Sequence, residues 1–423
     1  MASTYLTHTT STPTNSDKAT LSFWLKRSKL SSGQGVFAQD TDGNDKFAFI
    51  LGSNDTISIF QETAGTVDIN LVTNRVFRDT SAWYNFVLHF DSTQGAGSNR
   101  VQLFVNGVQE TSFSTATYPS SDVDFRFNKS GIVQEIGRYE GGNYFDGLLS
   151  HINFIDGTIY PASTFGSTDS TTGEWKINTS PSVTYGTNGF FILKDGNTIT
   201  DSSTNSNNFS LGGGTLTKTE SSPSNVFATF NPLFVYSSGK KPAYSNGNNT
   251  ATFDNAGENE HSPSTLAPSS GKYYAEFKWV SSHGNGATGV GIFATDVNNN
   301  NDINAQSYLY MGDGNKRILN SSSSYGASWT TGDIISIALD CDNNTVTFYK
   351  NGATQGALSI ASGNNYYMYC TDYDNKVVNA NFGNGYFGTT AVSSAGTNAS
   401  GNGIFEYDVP AGYTALSTKG LNL

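Results

Sequence analysis

The sequence predicts an all-β protein: two tandem antiparallel β-sandwiches with a bridging β-rich segment between them. Three observations carry that expectation. The strand Asn99-Arg100-Val101-Gln102-Leu103-Phe104-Val105-Asn106-Gly107 recurs in kind as Asn343-Asn344-Thr345-Val346-Thr347-Phe348-Tyr349-Lys350-Asn351-Gly352. Each copy has apolar residues at alternate positions, as one buried strand face requires, and each ends in Asn-Gly, the pair best able to take the positive φ angles of a tight hairpin. The composition agrees, since 45 glycines, 13% aromatic and only 14% charged residues suit short strands joined by many turns. The length of 423 residues exceeds one ordinary core and calls for two or three domains.

Residues 1–160 form the first module. In residues 20–26, Leu21, Phe23 and Leu25 share one face and Trp24 lies on the other with Ser22 and Lys26. Residues 46–51 and 56–60 form a hairpin across the turn Gly52-Ser53-Asn54-Asp55. Residues 83–91 alternate through Phe86, Leu88 and Phe90, just ahead of the Asn-Gly strand. Residues 135–154 read as strand, glycine-rich turn and strand around Gly141-Gly142. Four ordered blocks, Phe23-Trp24-Leu25-Lys26, Trp83-Tyr84, the Val101 to Gly107 strand, and Ile136-Gly137-Arg138 followed by Phe145-Asp146-Gly147, resemble the concanavalin A-like laminin-G/lectin superfamily over about 140 residues. That resemblance implies a jelly roll, a scaffold that hosts glycan binding, protein binding and, in some branches, glycoside hydrolysis.

Residues 161–235 form the bridging segment. Its strand 188–195 and its Phe190, Phe191, Ile192, Phe209, Leu211, Phe227 and Phe230 require burial, so the segment is expected to pack on one module or on both. Polar tracts such as residues 203–208 and 298–302 read as surface loops.

Residues 236–423 form the second module. Residues 271–280, Gly289-Val290-Gly291-Ile292-Phe293, and the stretch from Gly332-Asp333-Ile334-Ile335 to Asn351-Gly352 resemble the SPRY domain over about 120 residues. The resemblance implies a bent β-sandwich that binds protein. The tail 405–416 is expected to return as an edge strand. Cys341 and Cys370 fall at strand ends, open to a bridge or to free buried thiols that act as small hydrophobes.

The tandem as a whole, with Trp175, Tyr185-Gly186-Thr187-Asn188-Gly189-Phe190 and Val226-Phe227-Ala228-Thr229-Phe230-Asn231-Pro232-Leu233 between the modules, resembles structural proteins of marine tailed phages. The resemblance implies a virion surface protein assembled in the host bacterial cytoplasm. A tail fibre or receptor-binding protein is expected, homo-oligomeric on the virion, touching other virion proteins and a host surface glycan or receptor. Head decoration, a virion-borne polysaccharide hydrolase and a cellular protein-binding adaptor are the alternatives.

Charge narrows the partners. A net charge of -12 and a pI near 4.8 disfavour nucleic acid. The first residues lack a basic start and apolar run, and no stretch approaches the ~20 apolar residues that span a bilayer, so a soluble cytosolic product without membrane insertion is expected.

No catalytic set stands out. Glycoside hydrolysis needs two carboxylates ~5 to 10 Å apart across one cleft. Asp122-Val123-Asp124 and Glu406-Tyr407-Asp408 have an i, i+2 spacing but lack a third acid at the right offset, so exposed turn acids are the expectation and the protein reads as non-enzymatic. There is no Gly-x-Ser-x-Gly elbow or His-Glu-x-x-His, and His89 and His151 read as solvated or partly covered strand histidines. For a metal, Asp40, Asp42 and Asn44 offer hard oxygens to calcium, although Leu51 at position twelve excludes an EF-hand loop and a metal-free hairpin turn accounts for the same residues. For ligand contact the loop aromatics are the candidates: Tyr139 and Tyr144 beside Gly141-Gly142, and Tyr325 and Trp329 ahead of a strand, with Trp329 alternatively plugging the sandwich end.

Overall fold

Alternation along the strands sorts their side chains into two buried layers, and in a computed structural model this produces two units, Met1–Lys218 and Thr219–Leu423. The structure describes residues 3–194, 196–235, 240–254, 259–294, 303–373 and 375–422. Asp195 and the polar tract 298–302 lie outside them.

The first unit pairs an eight-stranded sheet with a six-stranded one. The larger runs in the order Phe113–Thr117, Thr66–Val76, Thr56–Thr63, Lys46–Leu51, Gln34–Asp40, Val133–Ile136, Tyr5–Thr9, Ser210–Gly213. The smaller runs Phe190–Ile192, Gly147–Asp156, Lys18–Arg27, Trp83–Asp91, Val101–Val105, Val108–Glu110. Register aligns Phe23 with Phe86 and Phe86 with Val105, so the expected apolar rows stack on one face. Across the gap Phe23 meets Phe49 edge-on at 5.1 Å. The Asn106-Gly107 tip has φ of 48° and 77°, and a Cβ on Gly107 would come within 2.3 Å of the Trp175 ring, so glycine is required there on two counts.

The bridging segment is integral to both units. Phe190–Ile192 adds an edge strand beside Gly147–Asp156, and Phe190, Ile192 and Phe209 join the first core, whereas Phe227 and Phe230 are buried in the second unit. Leu211, expected inside, is 45% exposed because Ser210–Gly213 is an outer edge strand. Tyr160, Phe165, Val183 and Tyr185 cover the outer face of the six-stranded sheet. Trp24, His89 and His151 are buried as well, the histidines more fully than solvated strand histidines; His89 lies 4.7 Å from the Phe104 ring and His151 5.8 Å from that of Phe191.

The second unit pairs a sheet running Ala243–Ser245, Thr250–Phe253, Lys376–Asn381, Lys272–Ser281, Ile334–Asp340, Thr345–Lys350, Ala353–Ser359 with one running Glu260–Pro263, Tyr366–Asp372, Gly289–Ala294, Ser307–Met311, Asn315–Ile318, Ser321–Ser324. Trp279, Phe277, Ile337 and Phe348 fill the space between them. The tail departs from the expected edge strand. Only Thr414–Ala415 pairs, parallel to Tyr273 and Tyr274, and Phe405 instead packs edge-on against Tyr274 at 5.0 Å.

Cys341 and Cys370 are both free thiols. Burial, reinforced by the Asp342 and Asp340 carboxylates, pushes the Cys341 thiol up to about 12, and burial raises Cys370 well above the ordinary range. Since the thiolate is the reactive form, native protein at pH 8 is expected to react far more slowly with a disulfide reagent than denatured protein, which should release both thiols at once. Fast native reaction would refute this packing.

Candidate functional site

In the first unit the rim between two turns forms a pocket of about 360 Å³ lined by Asp40 to Gly43, Val133, Glu135, Glu140 and Gly141. Pairing of Val133–Ile136 with Gln34–Asp40 brings the two turns together. Its carboxylates are largely tied down. Asp40 accepts the Gly43 N–H at 2.9 Å, and Asp42 accepts those of Asn44 and Asp45 at 3.0 and 3.1 Å. Glu135 pairs with Arg138. Glu140 pairs with Lys46 at 3.1 Å; burial raises its pKa, but the Tyr139 hydroxyl and the Lys46 ammonium outweigh burial and hold it below the usual range.

The Asp40 and Asp42 side chains expected to offer oxygens to calcium are engaged in their own turn. The Asp40, Asp42 and Asn44 loop is a hairpin turn closed by its own side-chain bonds, and neighbouring Asp45 is held by Lys129 at 3.0 Å and by the Ala64 N–H. Among the described residues no group of three or more His, Cys, Asp or Glu could hold a metal.

The predicted aromatics separate. Tyr139 lies in the turn, but its side chain is buried and packs on Ala38 and Ala48. Tyr144 is half-buried, its ring 6.1 Å from that of Tyr5, over which the Arg138 guanidinium lies at 3.6 Å. Trp329 is core, 2% exposed and 5.5 Å from Trp279; it plugs the sandwich and cannot meet a ligand. Tyr325 is half-buried against Tyr310 and Phe348, donates its hydroxyl to the Gly356 carbonyl and has the Lys316 ammonium over its ring at 5.7 Å. Tyr325 and Tyr144 thus remain at the surface, in different units.

Acids with the i, i+2 spacing serve turns. Asp124 accepts Ser16, Glu406 accepts Ser393, and Asp408 accepts Thr397 at 2.8 Å. Sequence reasoning missed Glu276, which is fully buried on Lys272–Ser281. Its carboxylate accepts the backbone N–H groups of Glu406 and Tyr407, each at 2.9 Å, the Asn381 amide at 3.3 Å and the Tyr274 hydroxyl at 3.2 Å. Burial dominates these donors and pushes its pKa up to about 7. A carboxylate so enclosed holds the tail in place and does not face a cleft. Its signal, one acid in an apolar strand, was visible in Tyr274-Ala275-Glu276-Phe277.

His283, half-buried, stacks on Tyr373 at 4.1 Å and sets its Nδ1 2.8 Å from Asp372, which also accepts the Thr288 hydroxyl at 2.7 Å. This pair anchors the 283–288 loop.

Comparison with known proteins matches residues 1–163 to the concanavalin A-like lectin/glucanases superfamily and residues 272–385 to the SPRY domain. The chain is therefore a concanavalin A-like/laminin-G domain followed by a SPRY domain, in the tandem β-sandwich order read from sequence. Ran-binding protein 9 of Danio rerio is 36% identical over 118 residues, which is 27% of this chain and 20% of that protein. The Homo sapiens protein of that name is also 36% identical over 118 residues, covering 27% of this chain and 16% of its own length. The chain spans about a fifth of the curated relatives it matches. The crystal structure of the SPRY domain of human HERC1 matches with a TM-score of 0.28 and 24% identity over 31% of this chain and 87% of that one.

Proposed function

We propose that this chain is a non-enzymatic binding protein in which two filled sandwiches hold polar rims toward a partner, with the SPRY unit engaging protein. The observation that carries this reading is the placement of polar groups. Glu276, Asp124, Glu406 and Asp408 serve internal hydrogen bonds, while the accessible rims present Tyr144 and Tyr325. SPRY domains as a class bind proteins, which supports the same assignment for the second unit.

The setting we propose is the surface of a tailed-phage virion, as a tail fibre or receptor-binding protein that meets a host glycan or receptor. The order of the two domains and the bridging elements around Tyr185 and Val226 support it. A second reading, a cellular protein-binding adaptor, is favoured by the likeness of the SPRY unit to animal Ran-binding proteins. Quantitative mass spectrometry of gradient-purified phage particles separates the two. Enrichment at a fixed copy number per particle is expected, and absence from particles would overturn the virion setting in favour of the adaptor. Release of new reducing ends from host-envelope glycans by the purified protein would overturn the non-enzymatic assignment.

A further inference from the structure

One hairpin in the SPRY unit departs from the turn rule that other two-residue hairpins among the described residues obey. At Asn106-Gly107, Glu140-Gly141 and Asn351-Gly352 both central residues have positive φ and glycine takes the second place. Between Asn315–Ile318 and Ser321–Ser324 the same geometry, φ of 48° and 70°, is imposed on Leu319 and Asn320. The left-handed region is unfavourable for leucine, and Leu319 does not recover that cost by burial, since it is 49% exposed. An exposed apolar side chain held in strained backbone points to a contact made outside the fold.

The strand that follows supplies the second observation. Ser321–Ser324 is the outer strand of its sheet and is exposed throughout. In a two-residue hairpin the residues flanking the turn form the inward hydrogen-bonded pair, so alternation leaves the N–H and C=O groups of Ser322 and Ser324 pointing outward. Several of the longer edges among the described residues carry a device against pairing. Ala353–Ser359 has a bulge near Gly356, Phe113–Thr117 has a register shift, and Glu260–Pro263 has a charge and a proline. Ser321–Ser324 pairs in unbroken register and holds no charge, proline or bulge. Among the described residues no strand covers its outer side.

Charge selects the occupant. The segment from Asn315 to Tyr325 contains Lys316 and Arg317 and no acid, in a chain of net charge -12. Opposite residues of an antiparallel pair share a face, so Arg317, which also donates to the Gly286 carbonyl at 3.0 Å, lies with Ser322 on one face, while Ile318 and Tyr325 lie on the other, packed toward the core with Lys316 over the Tyr325 ring. We propose that this hairpin takes an extended acidic strand from a partner protein, added edge-to-edge against Ser321–Ser324. Its acidic side chains meet the Arg317 face and its apolar ones the Ile318 and Tyr325 face, with Leu319 closing over the end. The inference rests on the protein-binding reading of the SPRY unit and names its surface.

The test uses the full chain and a fluorescein-labelled, end-blocked decapeptide of alternating valine and glutamate. Saturable anisotropy is expected, with slowed amide exchange at Ser322 and Ser324 and affinity about tenfold weaker for the valine/lysine counterpart. Ser322→Pro, which removes one outward N–H, should weaken binding about tenfold or more with an unchanged circular dichroism spectrum. The double variant Leu319→Asn/Asn320→Gly should raise the melting temperature slightly while weakening binding. Saturation indifferent to Ser322→Pro, or protection that maps to another loop of the unit, overturns the hairpin and leaves protein binding by the SPRY unit standing. Saturation of neither peptide overturns the hairpin outright.

Discussion

Replacing Glu276 with alanine is expected to lower the stability of the SPRY unit by about 2–4 kcal/mol, read as a reduced urea midpoint with an unchanged slope. The cause is the pair of backbone N–H groups, Glu406 and Tyr407, that this carboxylate accepts at 2.9 Å each. Alanine cannot accept them, and the Asn381 amide and Tyr274 hydroxyl lose a partner as well. Unpaired donors beside a buried strand cost more than the hydrogen bonds contribute when made. The tail from Phe405 to Tyr407 should then exchange its amide hydrogens faster than the rest of the unit. A variant with native stability would show that the tail is held by Phe405 packing alone.

The same residue sets a pH dependence. Its folded pKa, about 7, lies above the ordinary 4.5 because burial outweighs the four donors. A carboxyl raised in this way binds its proton more tightly folded than unfolded. The stability it contributes is full below pH 4.5 and is lost as pH rises to 7, by about 3 kcal/mol over that window. Glu276→Gln, which cannot titrate, should remove that slope from the SPRY unit. Its amide N–H₂ turns toward donors, so the variant should also be less stable than native protein at low pH.

The strands of both cores were legible because alternation is local: Phe86, Leu88 and Phe90 declare one face whatever lies opposite. The Asn106-Gly107 and Asn351-Gly352 tips were legible for the same reason. What lay beyond reach depended on residues distant in sequence. His89 is buried because the 160–185 segment folds over its sheet, and Glu135 reaches the Asp40 pocket because Val133–Ile136 pairs with Gln34–Asp40. Trp329 and Tyr139 illustrate a bias, since an aromatic in a polar, glycine-rich stretch reads as a surface loop even where its ring turns inward. The serine hairpin was passed over for the opposite reason. Four serines carry no periodic signal, and only the topology makes them an open edge.

Replacing Arg27 with methionine is expected to destabilise the first unit by about 3 kcal/mol, and Asp55→Ala by about 4 kcal/mol or more. Arg27 is wholly buried, donates to the carbonyls of Phe77 at 2.7 Å and Lys29 at 3.1 Å, and lies 3.1 Å from Asp55. Asp55 has positive φ, and it also accepts the Ser31 N–H at 2.7 Å and Arg78 at 2.9 Å. Burial raises its pKa, yet the Ser31 N–H and the Arg78 and Arg27 guanidiniums together hold it below the ordinary value. The asymmetry follows from what each change leaves behind. Without Arg27, Asp55 keeps Ser31 and Arg78; without Asp55, a guanidinium remains buried with no other ion-pair partner among the described residues and a second cation beside it. Arg27→Met combined with Asp55→Ala should therefore cost less than the two single changes together, because neither partner is left charged and alone. Since the Asp55 pKa is depressed, its contribution is present above about pH 4 and lost as pH falls further, so the difference between native and Asp55→Asn protein should shrink in acid. Equal costs for the two single variants, with simple additivity in the double, would show that the cluster holds the chain through packing and not through charge.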